Sequence, residues 1–248
     1  MKKLFCLVFI TLFLFEISYS QSKPNDKNFR FGLKAVPSLA WMKPDSKLFE
    51  SKSPKFCFAY GLMTDFNFTS NYAFSTGIEI TNNGGTLVFP IPPDDSTYYK
   101  PEKDTSKKFY ILNRNYKLRY ITLPVLLKLR TNEIGSMTYF GQFGVDVGFK
   151  IKALANDEGK TEGTSNVTTN EAVDIASDIN FLRLALNIGL GFELNLAGTT
   201  SLVVGVNYNN GFTNVLKKDS KDLFDKKGIA LKQNAISNFV SLTLGILF

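Results

Sequence analysis

The sequence predicts an all-β fold: an eight-stranded antiparallel up-and-down β-barrel that crosses a membrane, with long extracellular loops and short periplasmic turns. Three observations carry this. Residues 235–248 (AISNFVSLTLGILF) place Val240, Leu242, Leu244, Ile246 and Phe248 on one parity, and Ser237, Ser241, Thr243 and Gly245 on the other. That period of two is a β-strand with one greasy face. Similar segments recur along the chain, and the connections between them alternate long and short, as in hairpins threaded through a membrane. The one helix-like apolar run lies at the N-terminus, and a mean hydropathy of −0.04 excludes a bundle of membrane helices.

Taken in order, the chain opens with Met1-Lys2-Lys3, an apolar run over 4–15 and the small-x-small Ser18-Tyr19-Ser20. This is the pattern of a secretory signal peptide, residues 1–20, cleaved to leave 21–248 as one barrel domain. The run is short and Glu16 interrupts its end, which argues against a retained anchor helix. Cys6 lies within the apolar run rather than after a small-residue cleavage site, so it is not read as a lipidation cysteine. The mature chain keeps only Cys57, which leaves no intramolecular disulfide.

The first strand is expected over 29–42, with Phe29, Phe31, Leu33 and Ala35 on one face and a bulge or loss of pairing near Pro37. The second, over 56–68, alternates most cleanly: Phe56, Phe58, Tyr60, Leu62, Phe66 and Phe68 against Cys57, Ala59, Gly61, Met63 and Asp65. A tight turn leads to the third over 72–80. A long segment, 81–108, rich in Gly, Pro and charge, precedes the fourth over 116–130. There the apolar parity changes from Tyr116, Leu118 and Tyr120 to Ile121, Leu123, Val125, Leu127 and Leu129, which predicts a bulge near Pro124. The fifth (139–151), sixth (182–193) and seventh (202–208) strands follow the same rule, with long loops over 153–178 and 209–234. With both ends on the tight-turn side the count is even: eight, or ten if 81–108 holds a further hairpin.

A soluble lipocalin-like barrel would turn its apolar face inward and show water many Lys and Glu. Here the second face is mostly Gly, Ala, Ser and Asn, which suits a cramped lumen. Strands of ten or more residues match a tilted membrane crossing. Aromatics gather at both strand ends: Phe66, Phe68, Tyr72, Phe74, Tyr139, Phe192 and Phe248 on the turn side, and Trp41, Phe56, Phe58, Tyr60, Phe149 and Tyr208 on the loop side. Two such girdles belong at membrane interfaces. The 29 basic residues against 22 acidic ones are dispersed through loops, unlike the concentrated basic face of a nucleic-acid binder; attraction to anionic surface glycolipid is the better account of the charge.

The stretch 120–128 (YITLPVLLK) followed by 139–144 (YFGQFG) resembles the strand-Pro-strand signature of PorT-like outer-membrane β-barrel proteins. That resemblance implies an outer-membrane location and insertion by the barrel-assembly machinery. The machinery reads an alternating last strand ending in an aromatic, here Leu242, Leu244, Ile246 and Phe248. It also raises a role as an accessory of type IX protein secretion.

With no histidine in the chain, Ser-His and Asp-His catalysis is excluded, and zinc sites have few donors. No cofactor, metal site or enzymatic activity is expected. Cys57 has no visible base partner and reads as a small inward residue. Acidic loop clusters at Asp94-Asp95, Asp157-Glu158 and 219–225 lack the spacing of a calcium loop. The inward charges, Lys34, Asp65, Glu79, Lys128, Asp146, Lys150, Arg183 and Glu193, fit an ion-pair network that plugs the lumen; the alternative is the lining of a small-solute or ion pore. The expected partners are outer-membrane lipid and envelope or secretion proteins met by the surface loops, with no nucleic acid.

Overall fold

A computed structural model describes residues 28–45, 49–89, 99–101, 108–225 and 227–248. The expected signal peptide and the Asp94-Asp95 pair lie outside them. Eight long strands dominate: β1 (Phe29–Pro44), β2 (Lys55–Asn67), β3 (Tyr72–Val88), β4 (Lys108–Arg130), β5 (Met137–Thr161), β6 (Leu182–Ala197), β7 (Thr200–Gly211) and β8 (Ala235–Leu247). Each pairs antiparallel with the next. β8 returns to β1, with Leu33 opposite Ile246 and Pro44 opposite Ala235. The sheet therefore closes on itself as an eight-stranded barrel, and closure leaves no unpaired edge among the crossing strands.

The short connections, such as 68–71 and 198–199, join strands at the end where β1 begins and β8 finishes. The opposite end carries the long loops and their minor strands. Tyr99–Pro101 pairs with the start of β4 and with Phe224, Thr168–Asp174 with β5, and Asp219–Phe224 with Ala230–Lys232. Among the described residues the segment 81–108 supplies no further pair of crossing strands, and the closed ring holds eight.

β3, β4 and β5 run well past their expected limits, to 17, 23 and 25 residues. Asn82, Asn83, Gly84 and Gly85 are poor strand formers alone, yet they pair with Arg119, Leu118, Lys117 and Tyr116. The neighbour's ladder supplies what local propensity does not.

The parity change in the fourth strand has a different cause from the expected bulge. From Arg114 onward β4 keeps one orientation: Tyr116, Leu118, Tyr120, Thr122, Leu126 and Lys128 face inward, while Lys117, Arg119, Ile121, Val125, Leu127 and Leu129 face outward. Its own slip lies far from Pro124, at Leu112, where the inward parity passes from Phe109 and Ile111 to Arg114. What changes at 120/121 is the chemistry of the two faces. The register shift sits on the partner strand: Arg119 lies opposite Lys152 and Tyr120 opposite Lys150, so Ile151 is the extra residue. Inward parity in β5 passes there from even (Asp146, Gly148) to odd (Ala153, Ala155, Asp157). Pro37 makes no bulge, and its pairing with β2 is continuous, opposite Phe58. The ladder to β8, however, lapses at Val36 and Pro37, between Ala35 opposite Leu244 and Ser38 opposite Ser241, which is the expected loss of regular pairing.

Below this level the outer wall is a band of exposed aliphatic and aromatic side chains, Leu33, Leu62, Ile78, Val125, Phe143, Ile188, Leu190, Val206 and Leu244 among them. Above it the extended strands and folded loops form a dome with a core of its own. Met42, Phe49, Leu87, Phe89, Phe109, Ile111, Tyr116, Leu118, Tyr120, Ile175, Ile179, Leu216, Leu223 and Leu231 pack there as one cluster.

Candidate functional site

The interior divides into a floor, a middle and a roof. At the periplasmic end, β1, β2, β4 and β6 each contribute charge to one network. Lys128 Nζ lies 2.9 Å from Asp65 Oδ2 and 2.5 Å from Glu193 Oε1. Arg130 reaches both acids and donates to Asn67 Oδ1 at 2.6 Å. Arg30 meets Glu193 at 2.5 Å and Asp65 at 3.5 Å. Ser75 Oγ donates to Asp65 at 2.7 Å. Buried charges are tolerable only when paired and hydrogen-bonded in this way, and three cations around two carboxylates leave one net positive charge. Beneath the network a polar vestibule of about 280 Å³ opens between the turns.

Higher in the barrel Lys34 pairs with Glu79. Asp146 accepts hydrogen bonds from Asn187 Nδ2 (3.0 and 3.1 Å) and Asn209 Nδ2 (2.5 Å). Arg183 donates to Asn209 Oδ1 and to the Ser237 carbonyl, with its guanidinium 5.4 Å from the Phe239 ring centroid. Phe140 points into the lumen under Lys128, whose ammonium is 4.4 Å from the ring centroid. It needs the glycines of β6 and β7: a Cβ on Gly191 would lie 2.5 Å from Phe140 Cζ, and one on Gly205 3.2 Å. The Gly189-Leu190-Gly191 run therefore makes room for side chains from neighbouring strands. The space left among these groups is about 60 Å³, room for a handful of water molecules and no more.

The roof is the apolar core of the dome. Within it Arg114 and Asp157 form a fully buried bidentate pair, Nε to Oδ1 at 2.7 Å and Nη2 to Oδ2 at 2.9 Å. Burial works against the guanidinium charge, but the Asp157 hydrogen bonds outweigh it and the Arg114 pKa is raised. Asp178, also buried, joins two loops. It accepts from Ser220 Oγ, from the Lys221 amide at 2.7 Å and from Gln233 Nε2 at 3.3 Å. Lys150 Nζ donates to the Ala176 and Ile179 carbonyls at 2.6 and 2.8 Å, so it anchors a loop rather than an acid.

Of the eight inward charges read from sequence, Asp65, Lys128 and Glu193 meet in the floor, Lys34 and Glu79 pair with each other, and Asp146 and Arg183 share Asn209. Lys150 stands apart. Arg30, Arg130, Arg114 and Asp178 were missed. The two floor arginines sit within two residues of strand ends, where alternation is hardest to phase. Arg114 lies between the segment 81–108 and the expected start of the fourth strand, in residues given no assignment, and Asp178 at the end of a segment read as loop. Asp157, read as part of a loop cluster, is a core residue. Cys57 is a buried free thiol packed with Ala40 and Phe239. Leu242, Leu244 and Ile246 face outward on β8, and Phe248, one residue past its end, is exposed with them; the Phe248 amide donates to the Phe31 carbonyl at 2.8 Å and the two rings lie 5.8 Å apart.

A family model described as outer membrane protein beta-barrel domain matches residues 19–217. No curated protein matches the chain. Among solved structures, the outer membrane protein OprG of Pseudomonas aeruginosa is similar over 92% of this chain and 99% of its own, at 12% identity and a TM-score of 0.48. Neisserial surface protein A is similar over 89% and 96%, at 10% identity and 0.41. Ail, the attachment invasion locus protein of Yersinia pestis, is similar over 90% and 100%, at 11% identity and 0.35. These are likenesses of shape at low identity, and no partner or task follows from them.

Proposed function

The chain belongs to the outer membrane protein beta-barrel domain family, and from that premise we propose that it is a non-enzymatic envelope protein that acts through its extracellular dome. The observation that carries this is the roof. A core of large apolar side chains closes the loop end above a lumen with about 60 Å³ of free space. A conducting barrel needs a wet, continuous path, whereas a folded, rigid cap is what contact with envelope or secreted proteins uses. Planar-bilayer recording of the purified protein tests it. The expected trace is free of steady open-channel steps; regular conductance steps would replace this reading with a small-solute or ion pore. Service to a type IX protein-secretion apparatus rests on the PorT-like stretch 120–128 and 139–144 alone, and is a narrower proposal within the same reading.

We also propose that the end of β8 is an insertion signal read by the barrel-assembly machinery. The support is the outward alternation of Leu242, Leu244, Ile246 and Phe248 beside β1. Deleting Phe248 is expected to lower the amount of heat-modifiable barrel recovered from outer membrane several-fold. Unchanged recovery would show that the aromatic terminus serves only as an interface anchor.

A further inference from the structure

The lumen holds its charges in ion pairs or hydrogen bonds to neutral groups, but one stretch of the outer wall gathers cations of like sign. Arg119 of β4 lies directly opposite Lys152 of β5, and both face outward. Lys117 stands two residues further along the same face, opposite Gly84, which has no side chain to cover it. Lys55, at the start of β2, reaches across to β4 and donates to Asn115 Oδ1 (2.8 Å) and the Tyr116 carbonyl (3.2 Å). Arg119 Nε is steered by Asn82 Oδ1 at 2.9 Å. Among the described residues none of these four cations meets a carboxylate.

The four line one groove of about 410 Å³. It opens because β2 and β3 part company: their pairing stops at Ala59 opposite Thr81, and beyond it Asn82 Nδ2 reaches to the Phe58 carbonyl at 2.9 Å. The lower lip is apolar and outward-facing, with Phe56 67% exposed and Phe58 stacked on Tyr60. Below it begin Ile121 and Ile151 of the hydrophobic band. The groove therefore sits on the boundary between greasy wall and charged wall, on the extracellular side.

We propose that this groove binds the phosphorylated head group of an outer-leaflet glycolipid, with the acyl chains lying along Phe56 and Phe58. Like charges crowded at a low-dielectric boundary repel unless anions neutralise them. Arginine and lysine are the residues that hold phosphate, the first by parallel hydrogen bonds and the second as a point charge. A soluble anion would satisfy the cations but leave the aromatic lip facing lipid without a partner of matching shape. A phosphorylated lipid answers both halves of the site. The proposal rests on the outer-membrane location and not on the dome's role, so a conducting barrel would leave it standing.

The test uses the full-length barrel in nanodiscs of phosphatidylcholine doped with bisphosphorylated lipid A, with enzymatically dephosphorylated lipid A, or with neither. Bound lipid is counted by native mass spectrometry. Retention of the phosphorylated form at least ten-fold above the dephosphorylated one is expected; equal retention would overturn the proposal, and this comparison needs no variant. A K117Q/R119Q/K152Q variant, checked for heat-modifiable migration, is expected to lose that preference, while K217Q, in the dome, keeps it. Preference intact in the folded triple variant would move the site elsewhere. Displacement of the lipid by millimolar inorganic phosphate alone, or by a soluble acidic polysaccharide, would identify a free anion as the occupant and likewise overturn the lipid assignment.

Discussion

The band and the dome are built by the same strands with opposite rules. Along β4, residues on the inner parity are Tyr116, Leu118 and Tyr120 in the dome, then Thr122 and Lys128 in the band. On the outer parity Lys117 and Arg119 give way to Ile121, Val125, Leu127 and Leu129. In the dome water lies outside, so burial of apolar side chains drives folding as in any soluble domain. In the band the outside is already hydrocarbon. Inward apolar residues would gain little there, and polar groups collect in the lumen, where they hydrogen-bond to one another. One strand obeying both regimes teaches that "inside" and "buried apolar" coincide only where water is the solvent.

The sharpest way to break that comparison is to orphan a buried charge in each region. Glu193→Ala leaves Lys128, Arg130 and Arg30 with Asp65 as their one carboxylate partner, and Asp157→Ala strands Arg114. Each loss is expected to cost about 3–5 kcal/mol, but in different observables. Glu193→Ala should lower the urea midpoint of the whole barrel in lipid vesicles. Asp157→Ala should leave heat-modifiable migration intact while protease cuts the dome loops faster. If both variants shifted the barrel midpoint equally, dome and band would be one cooperative unit.

A smaller effect comes from placing one new charge on each outer wall. Leu190, 71% exposed at mid-strand, faces the band; Leu190→Arg should destabilise the barrel by about 2–4 kcal/mol in a bilayer. Val167, half exposed in a dome loop, faces water, and Val167→Arg should stay within about 0.5 kcal/mol. Measured by the same urea titration, equal costs would mean that the hydrocarbon reaches further up the wall than the β4 inversion indicates.

The band was the part legible in sequence. Its alternation is strict, its faces differ sharply, and the long-short rhythm of connections gives the strand count. The dome was not. Its strands run through Asn82 to Gly85 and through Asn113 to Asn115, residues that form strands because a neighbour pairs with them. Parity explains the β4 error. A change in which parity is apolar has two causes, a slipped backbone or a changed solvent, and a one-dimensional pattern does not separate them. The bulge at Ile151 was hidden for the opposite reason, since Phe149 and Ile151 share a parity and the slip falls just beyond them. Arg30 carried a signal that was available, since it shares parity with Lys34; Arg130 lay at a turn boundary, and Asp178 in a segment with no periodicity at all.

The extended hairpin of β4 and β5 also fixes a height. From Ile121, where the outer face stops being greasy, β4 continues back to Lys108, roughly 40 Å of strand at about 3.3 Å per residue. With a tilt of about 40° that is roughly 30 Å above the hydrocarbon. The dome tip is therefore carried on a stiff mast, not on a tether that samples many positions. A neighbour embedded in the same leaflet meets the lower, cationic wall, and a molecule arriving from outside meets the tip first. The two encounters happen at different altitudes and need not compete.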